Sequence, residues 1–209
     1  ADTYGLSLIL GGCEVTMWDL AGVYASMART PNHQTKNNRK LSKEDFHAPN
    51  YINKELGIRN LASNTNQIPN SQSPIPLDAT SIYFTFQAMQ DVMRPGEEGL
   101  WQQFTSSQKI AWKTGTSFGF RDGWGIGVTP KNVIAVWVGN TDGEGRPGLI
   151  GVQTAAPILF DIFRLLPNVS WFEKPKYNFS FVPVCRQSGY RANIDCPDVD
   201  TLFMPPNAE

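Results

Sequence analysis

The sequence predicts an α+β chain in which a three-stranded antiparallel sheet packs with helices and a Pro-rich extended tail follows. Three observations carry that reading. Segments 14–28 and 80–93 repeat apolar residues at helical spacing. Three short β-rich runs, at 109–112, 124–129 and 133–138, follow one another, with a tight turn between the last two. An apolar helical stripe at 154–166 then stops at Pro167, and prolines recur beyond it.

In the first helix, Met17, Leu20, Ala21, Tyr24, Met27 and Ala28 fall on one face. Thr16 followed by Asp19 resembles a capping arrangement, and Gly11-Gly12 permits a tight entry. Residues 30–76 are polar, rich in Asn and broken by prolines, which predicts a long connection with one short strand. The second helix places Ile82, Phe86, Met89 and Val92 or Met93 on one face and ends before Pro95-Gly96. Thr129-Pro130-Lys131-Asn132 is the hairpin turn between the second and third strands. Gly143, Gly145, Gly148 and Gly151 mark residues 142–151 as a loop. The third helix has Ile158, Leu159, Ile162 and Leu165 or Leu166 as its buried stripe. From Trp171 the chain reads as a linker and then the start of a small β-rich module, so the expected division is 1–167 and 168–209. Trp112, Trp124 and Trp137 lie in strands and read as sheet-packing residues.

Composition narrows the function classes. Hydrophobic residues make up 41% and charged residues 18%, which is the balance of a globular chain. A net charge of −1 gives no electrostatic reason to expect nucleic acid or an anionic membrane as partner. No apolar run approaches the roughly 20 residues needed to span a bilayer, and no signal-peptide pattern opens the chain. Of the three cysteines, Cys185 and Cys196 bracket a polar loop with a turn glycine. They form a disulfide candidate for an oxidising compartment, or else two unpaired thiols. Cys13 is left over and expected to be buried. His33 and His47 lie in another region without metal-ligand spacing, so neither a metal nor a cofactor is expected.

The chemistry concentrates in Lys113-Thr114-Gly115-Thr116-Ser117, directly after Ile110-Ala111-Trp112. Lys-Thr-Gly is an element of serine acyl-transferases, and here it ends a predicted strand and precedes two more. In that setting a strand edge can receive an extended peptide through main-chain hydrogen bonds. Lys113 would set a positive charge beside an oxyanion or a substrate carboxylate. Gly115 would let a substrate backbone approach, and the hydroxyls of Thr116 and Ser117 would bind a carboxylate. The bland alternative is a solvated strand-end lysine beside a bulge glycine. The Gly-rich loop lacks the Gly-Lys-Ser/Thr ending of a phosphate-binding loop.

Three segments in order resemble class A penicillin-binding proteins of the 1C type. They are Tyr4-Gly5-Leu6-Ser7-Leu8-Ile9-Leu10-Gly11-Gly12, the run from Trp112 through Lys113-Thr114-Gly115-Thr116-Ser117 to Asp122, and the run from Trp137-Val138-Gly139-Asn140-Thr141 to Gly148. The resemblance covers residues 4 to about 166, and Pro183-Val184-Cys185-Arg186-Gln187-Ser188-Gly189 is similar to the start of that subfamily's carboxy-terminal module.

The resemblance implies a peptidoglycan D,D-transpeptidase on the penicillin-binding and serine β-lactamase-like fold, on the periplasmic face of a bacterial inner membrane. A serine would attack the penultimate D-Ala carbonyl of a stem peptide, release the terminal D-Ala, and pass the acyl group to an amine of a neighbouring stem. β-Lactams would acylate the same serine. Carried over to this sequence, Lys113 would support carboxylate binding and proton transfer. Thr116 would bind the carboxylate through its hydroxyl and give its N–H to the oxyanion hole. Thr114, Gly115 and Ser117 would complete the substrate contacts.

The same resemblance implies Ser-x-x-Lys for nucleophile and base, and Ser-x-Asn on a separate loop, both upstream of the Gly-Leu-Ser-Leu segment. No Ser-x-Asn occurs in this sequence. Ser106-Ser107-Gln108-Lys109 fits Ser-x-x-Lys on paper, but it leads into the Lys-Thr-Gly strand instead of opening a helix. The chain is therefore expected to be a fragment that is inactive alone. A D,D-carboxypeptidase or β-lactamase-like hydrolase of the same fold, and a non-catalytic periplasmic binding or scaffold module, are the competing readings. In the family's five-stranded sheet the strand at 133–138 has a further neighbour. Without it, Val-Ile-Ala-Val-Trp-Val is an uncharged β edge, from which a homodimer is expected.

Overall fold

The computed structural model describes residues 5–10, 12–37, 77–92, 108–175 and 179–204. A short 3-10 turn, Gly5–Leu10, precedes helix α1, Met17–Asn37, and helix α2, Ala79–Gln90. Strands β1 (Ala111–Thr116), β2 (Asp122–Val128) and β3 (Val133–Gly139) form an antiparallel sheet in that order. Helix α3, Gly151–Leu165, follows, and β4 (Ser180–Cys185) pairs antiparallel with β5 (Val199–Met204) in a second sheet.

The register of the first sheet explains its packing. Trp112 lies opposite Gly127, Thr114 opposite Gly125 and Thr116 opposite Gly123, with Ile134, Val136 and Val138 next in line on β3. Successive side chains alternate between faces, so the glycines of Asp-Gly-Trp-Gly-Ile-Gly-Val all fall on the face that α3 covers. They must be bare. A Cβ on Gly127 would sit 2.5 Å from Cε2 of Phe163, one on Gly125 3.3 Å from Ala155 Cβ, and one on Gly123 2.7 Å from Thr154 Oγ1. This stripe of glycine lets α3 press onto the middle strand, where Ala155, Leu159 and Phe163 are buried with Trp112. The indole of Trp112 meets the ring of Phe160 edge to face at 5.0 Å.

The opposite face is closed by α1 and α2. Met27, Ala28, Ile82, Tyr83 and Phe86 pack with Ala111 and Val128 of the sheet. Phe172 joins this core at 4% exposure, its ring 5.1 Å from that of Phe86. The stretch from Pro167 to Pro175 lies in no helix or strand, and Phe172 anchors it in the core. A single aromatic in a Pro-rich stretch carries no periodicity by which to foresee that.

Helix α1 extends nine residues beyond the end expected at position 28, running through Pro31 to Asn37. A proline inside a helix forfeits one hydrogen bond at a cost of about 3 kcal/mol, and the polar, Asn-rich sequence pointed to a loop. Burial of Pro31 and a 2.8 Å hydrogen bond from Asn32 Nδ2 to the Pro130 carbonyl offset that cost. The expected cap at the other end is present, with the Asp19 N–H donating to Thr16 Oγ1 at 3.1 Å. Cys13, just before this cap, is exposed and not buried as expected, because it precedes the helix and faces no core. The remainder of the 30–76 connection, from residue 38, lies outside the described residues, as does Ser106.

Helix α2 starts at a cap the sequence reading passed over. The Asp78 carboxylate accepts from Thr80 N–H at 2.9 Å and from Ser81 N–H at 3.0 Å, and Ser81 Oγ donates to it at 2.7 Å. Burial works to raise its pKa, but these hydrogen bonds outweigh it and hold the carboxyl below its ordinary value. Asp78→Ala is expected to cost about 1 kcal/mol, measured by thermal unfolding. Because the folded-state pKa is the lower one, the contribution is full above the unfolded pKa and is lost as pH falls through the folded value. The variant and wild type should therefore converge in acid, and a stability gap that persists unchanged there would refute the capping role.

Candidate active site

The Lys-Thr-Gly segment lies inside β1, not at its end as expected, since the strand runs Ala111–Thr116. It begins two residues later than the run at 109–112 because Lys109 and Ile110 have no partner on β2, whose pairing starts at Ala111 opposite Val128. Strand β1 is an edge, hydrogen-bonded to β2 alone among the described residues. Its sequence-predicted residues share that edge but divide between two faces. Lys113 and Gly115 take the face that α1 and α2 cover further along the strand. Thr114 and Thr116 take the α3 face.

Each group has a definite situation. Lys113 is exposed, and Nζ donates to the Thr114 carbonyl at 2.5 Å. Among the described residues its ammonium forms no ion pair, so the charge is free to meet an incoming anion. Thr116 Oγ1 accepts a 3.0 Å hydrogen bond from the Gly151 N–H. Gly151 opens α3, whose N-cap Ile150 offers no side-chain cap, so Thr116 supplies that cap from the neighbouring strand. A hydroxyl that accepts one bond keeps its proton to donate, and Thr116 is exposed. Ser117 Oγ instead accepts from Asp122 N–H at 2.8 Å, while Ser117 N–H donates to the Asp122 carbonyl at 3.0 Å. Ser117 thus closes the β1–β2 hairpin, a structural task beside the carboxylate contact read for it.

Gly115 is unlike the other glycines of the sheet. Among the described residues, an added Cβ there would meet nothing nearer than Trp124 Cβ at 3.7 Å, an ordinary contact. Packing among the described residues therefore leaves room for a side chain at 115, whereas it crowds one at 123, 125 and 127.

Several supporting residues escaped sequence reasoning. The hairpin tip carries Phe118, 99% exposed, followed by Gly119 at φ 77° and Phe120 at φ 56°. A phenylalanine in the left-handed region is strained and needs support from its surroundings. The Arg146 N–H donates to the Phe120 carbonyl at 3.0 Å, and Gly145 packs so closely on the Gly119 carbonyl that a side chain would collide with it. The glycine loop is therefore a brace for the hairpin that follows Lys-Thr-Gly-Thr. Trp137 Nε1 adds a 2.9 Å bond to Asp122 Oδ1 at the hairpin's base. The glycine run signalled a loop but gave no sign of what it touches. A separate groove between α1 and the β2–β3 turn is lined by Trp18, Ala25, Arg29, Asn32 and Lys131, away from β1.

No family model matches the chain. Three curated relatives place it. The chain is 29% identical over 161 residues to penicillin-binding protein 1C of Escherichia coli strain K12, which covers 77% of this chain and 17% of that protein. It is 30% identical over 94 residues to penicillin-binding protein 1B of Buchnera aphidicola, covering 43% of this chain and 12% of that protein. It is 33% identical over 87 residues to penicillin-binding protein 1B of Haemophilus influenzae, covering 42% and 11%.

The chain is thus a homologue of class A penicillin-binding proteins, as the three motif segments implied. Of these three matches, the one to the 1C type spans the most of the chain, and it corresponds to under a fifth of that relative's length. The homodimer expected from the β3 edge finds no support in these relatives.

Proposed function

We propose that this chain is the Lys-Thr-Gly-bearing part of a peptidoglycan D,D-transpeptidase domain, spanning 1–167, followed by a small β-rich module at 168–209. The observation that carries the reading is Gly115, a bare position on an edge strand where, among the described residues, nothing in the packing demands one. An extended stem peptide added along β1 would make main-chain hydrogen bonds to the free edge and pass closely over Gly115. The free Lys113 ammonium and the Thr116 hydroxyl proton would meet the peptide's terminal carboxylate from the two sides of the strand. The Thr116 N–H would stabilise the tetrahedral oxyanion. The attacking serine would come from sequence outside this chain, because its own Ser-x-x-Lys, at 106–109, leads straight into the β1 strand. The complete protein would act at the periplasmic face of the inner membrane. Among the described residues no helix is long and apolar enough to cross a bilayer.

Incubating the chain with benzylpenicillin and weighing it by mass spectrometry tests this division of labour. No covalent adduct is expected on the chain alone, whereas a protein joining it to the serine-bearing part should take up one penicillin. A stoichiometric adduct on Ser106, or on any other serine of this chain, would overturn the reading.

A further inference from the structure

The small sheet carries a site of its own, apart from the Lys-Thr-Gly strand. Cys185 ends β4 opposite Val199 of β5. From there the chain turns tightly, with Gly189 N–H donating to the Cys185 carbonyl and Cys185 N–H to the Tyr190 carbonyl, each at 2.8 Å. It then returns alongside β4 through the bridge between Val184 and Arg191 and the 2.8 Å bond from Ala192 N–H to the Pro183 carbonyl. A second turn is closed by Cys196 N–H on the Asn193 carbonyl at 3.2 Å, and the Cys196 thiol donates to Asn193 Oδ1 at 3.2 Å. Two residues on, the Asp198 carbonyl accepts from the Arg186 N–H beside Cys185 at 3.0 Å. The two sulfurs differ in access, since Cys185 is 5% exposed and Cys196 is half-buried.

We propose that Cys185 and Cys196 are a disulfide-forming site that staples this sheet, Cys196 meeting the oxidant and Cys185 resolving the bond. A two-stranded sheet is marginal on its own in water, and this one leaves Phe181, Leu202 and Ile194 exposed, so a covalent tie answers a deficit of core. The chemistry balances with a disulfide as oxidant. The Cys196 sulfur, losing its proton to water, attacks one sulfur of the oxidant and expels its first thiolate. The Cys185 thiolate then attacks the Cys196 sulfur of the mixed disulfide and expels the second. Two protein thiols are oxidised and one oxidant disulfide is reduced to two thiols. The environment of Cys185 suits the resolving role. Hydrogen bonds from the Ser188 hydroxyl and N–H, from Cys196 and from the Gln187 N–H draw its thiol down to about 7 against the opposing effect of burial.

The test uses the whole chain with Cys13→Ser to remove the exposed third thiol, treated with oxidised glutathione, alkylated and weighed. The expected product has lost both alkylatable thiols and carries no glutathione. Adding Cys185→Ser should trap glutathione on Cys196, because nothing resolves it. Adding Cys196→Ser should leave the buried Cys185 largely alkylatable. Pairing should also be several-fold faster in buffer than in concentrated urea, a comparison that needs no further variant. Two thiols still alkylatable after treatment, glutathione retained on both, or equal pairing rates in buffer and urea would each overturn the proposal.

Discussion

Replacing Lys113 with alanine, in the protein that joins this strand to its serine, is expected to slow penicillin acylation by about 10²- to 10³-fold, the usual loss when one preorganised charge or donor at a reaction centre is removed. The fold should hardly notice. The side chain is exposed, forms no ion pair among the described residues, and makes one hydrogen bond, to its neighbour's carbonyl. Such surface positions change stability by roughly 0.5 kcal/mol or less. The separation between a large kinetic effect and a small thermal one is what distinguishes a charge aimed at substrate from a solvated strand-end lysine. Stopped-flow acylation with a chromogenic β-lactam and a thermal melt of the same sample measure both. A rate within about twofold of wild type would mean that the bland reading of Lys113 is the correct one.

What the sequence made legible follows from which forces are local. The three strands and their hairpin turn were readable because β-branched and aromatic runs, broken by Thr129-Pro130-Lys131-Asn132, express pleat and turn chemistry within a few residues. The Thr129 N–H and the Asn132 carbonyl duly close that turn at 2.9 Å. Helix α3 was readable as an apolar helix, but its buried stripe was misplaced and its start was placed three residues late. Ile158, Ile162 and Leu165 are exposed, and Ala155, Ala156, Phe160 and Phe163 join Leu159 against the sheet. The true start, Gly151, depends on a cap donated by Thr116, 35 residues away in sequence. The continuation of α1 past Pro31 was hidden for the same reason, as it depends on burial and on a contact with Pro130 that no local pattern encodes.

The site divides along the same line. Lys113, Thr114, Gly115 and Thr116 were identifiable as a motif, and the structure places them on an edge strand, Thr114 partly buried and the other three exposed. The alternation of Asp-Gly-Trp-Gly-Ile-Gly-Val was in plain view, yet its meaning is tertiary, because spacing alone cannot say that a helix presses on the glycine face. Ser117 looked like one more hydroxyl beside Thr116. Only the hairpin geometry shows the two taking different tasks, one closing a turn and the other capping a helix.

That cap makes Gly151 the position from which the strand can be disturbed without touching a reacting group. A methyl group on Gly151 would run into the Gly115 carbonyl oxygen and lie 2.7 Å from that of Trp124, both of them backbone atoms that cannot swing aside. Gly151→Ala must therefore lift the start of α3 away from β1 and β2, stretching the bond to Thr116. Overpacking of this kind costs about 1–3 kcal/mol, which exceeds the up to ~1 kcal/mol that alanine gains over glycine in a helix. Gly22 in α1 provides the contrast, since among the described residues an added Cβ there meets nothing within 4 Å. Gly22→Ala should raise the melting temperature and Gly151→Ala should lower it, opposite signs for the same chemical change. In the serine-bearing protein, Gly151→Ala should also slow acylation by as much as about 10²-fold, since a shift of about 1 Å in a positioning element can cost that much, while Gly22→Ala leaves the rate unchanged. If Gly151→Ala melts at or above the wild-type temperature and acylates normally, then the α3 start does not hold the Lys-Thr-Gly-Thr strand in place, and Thr116 owes its orientation to something else.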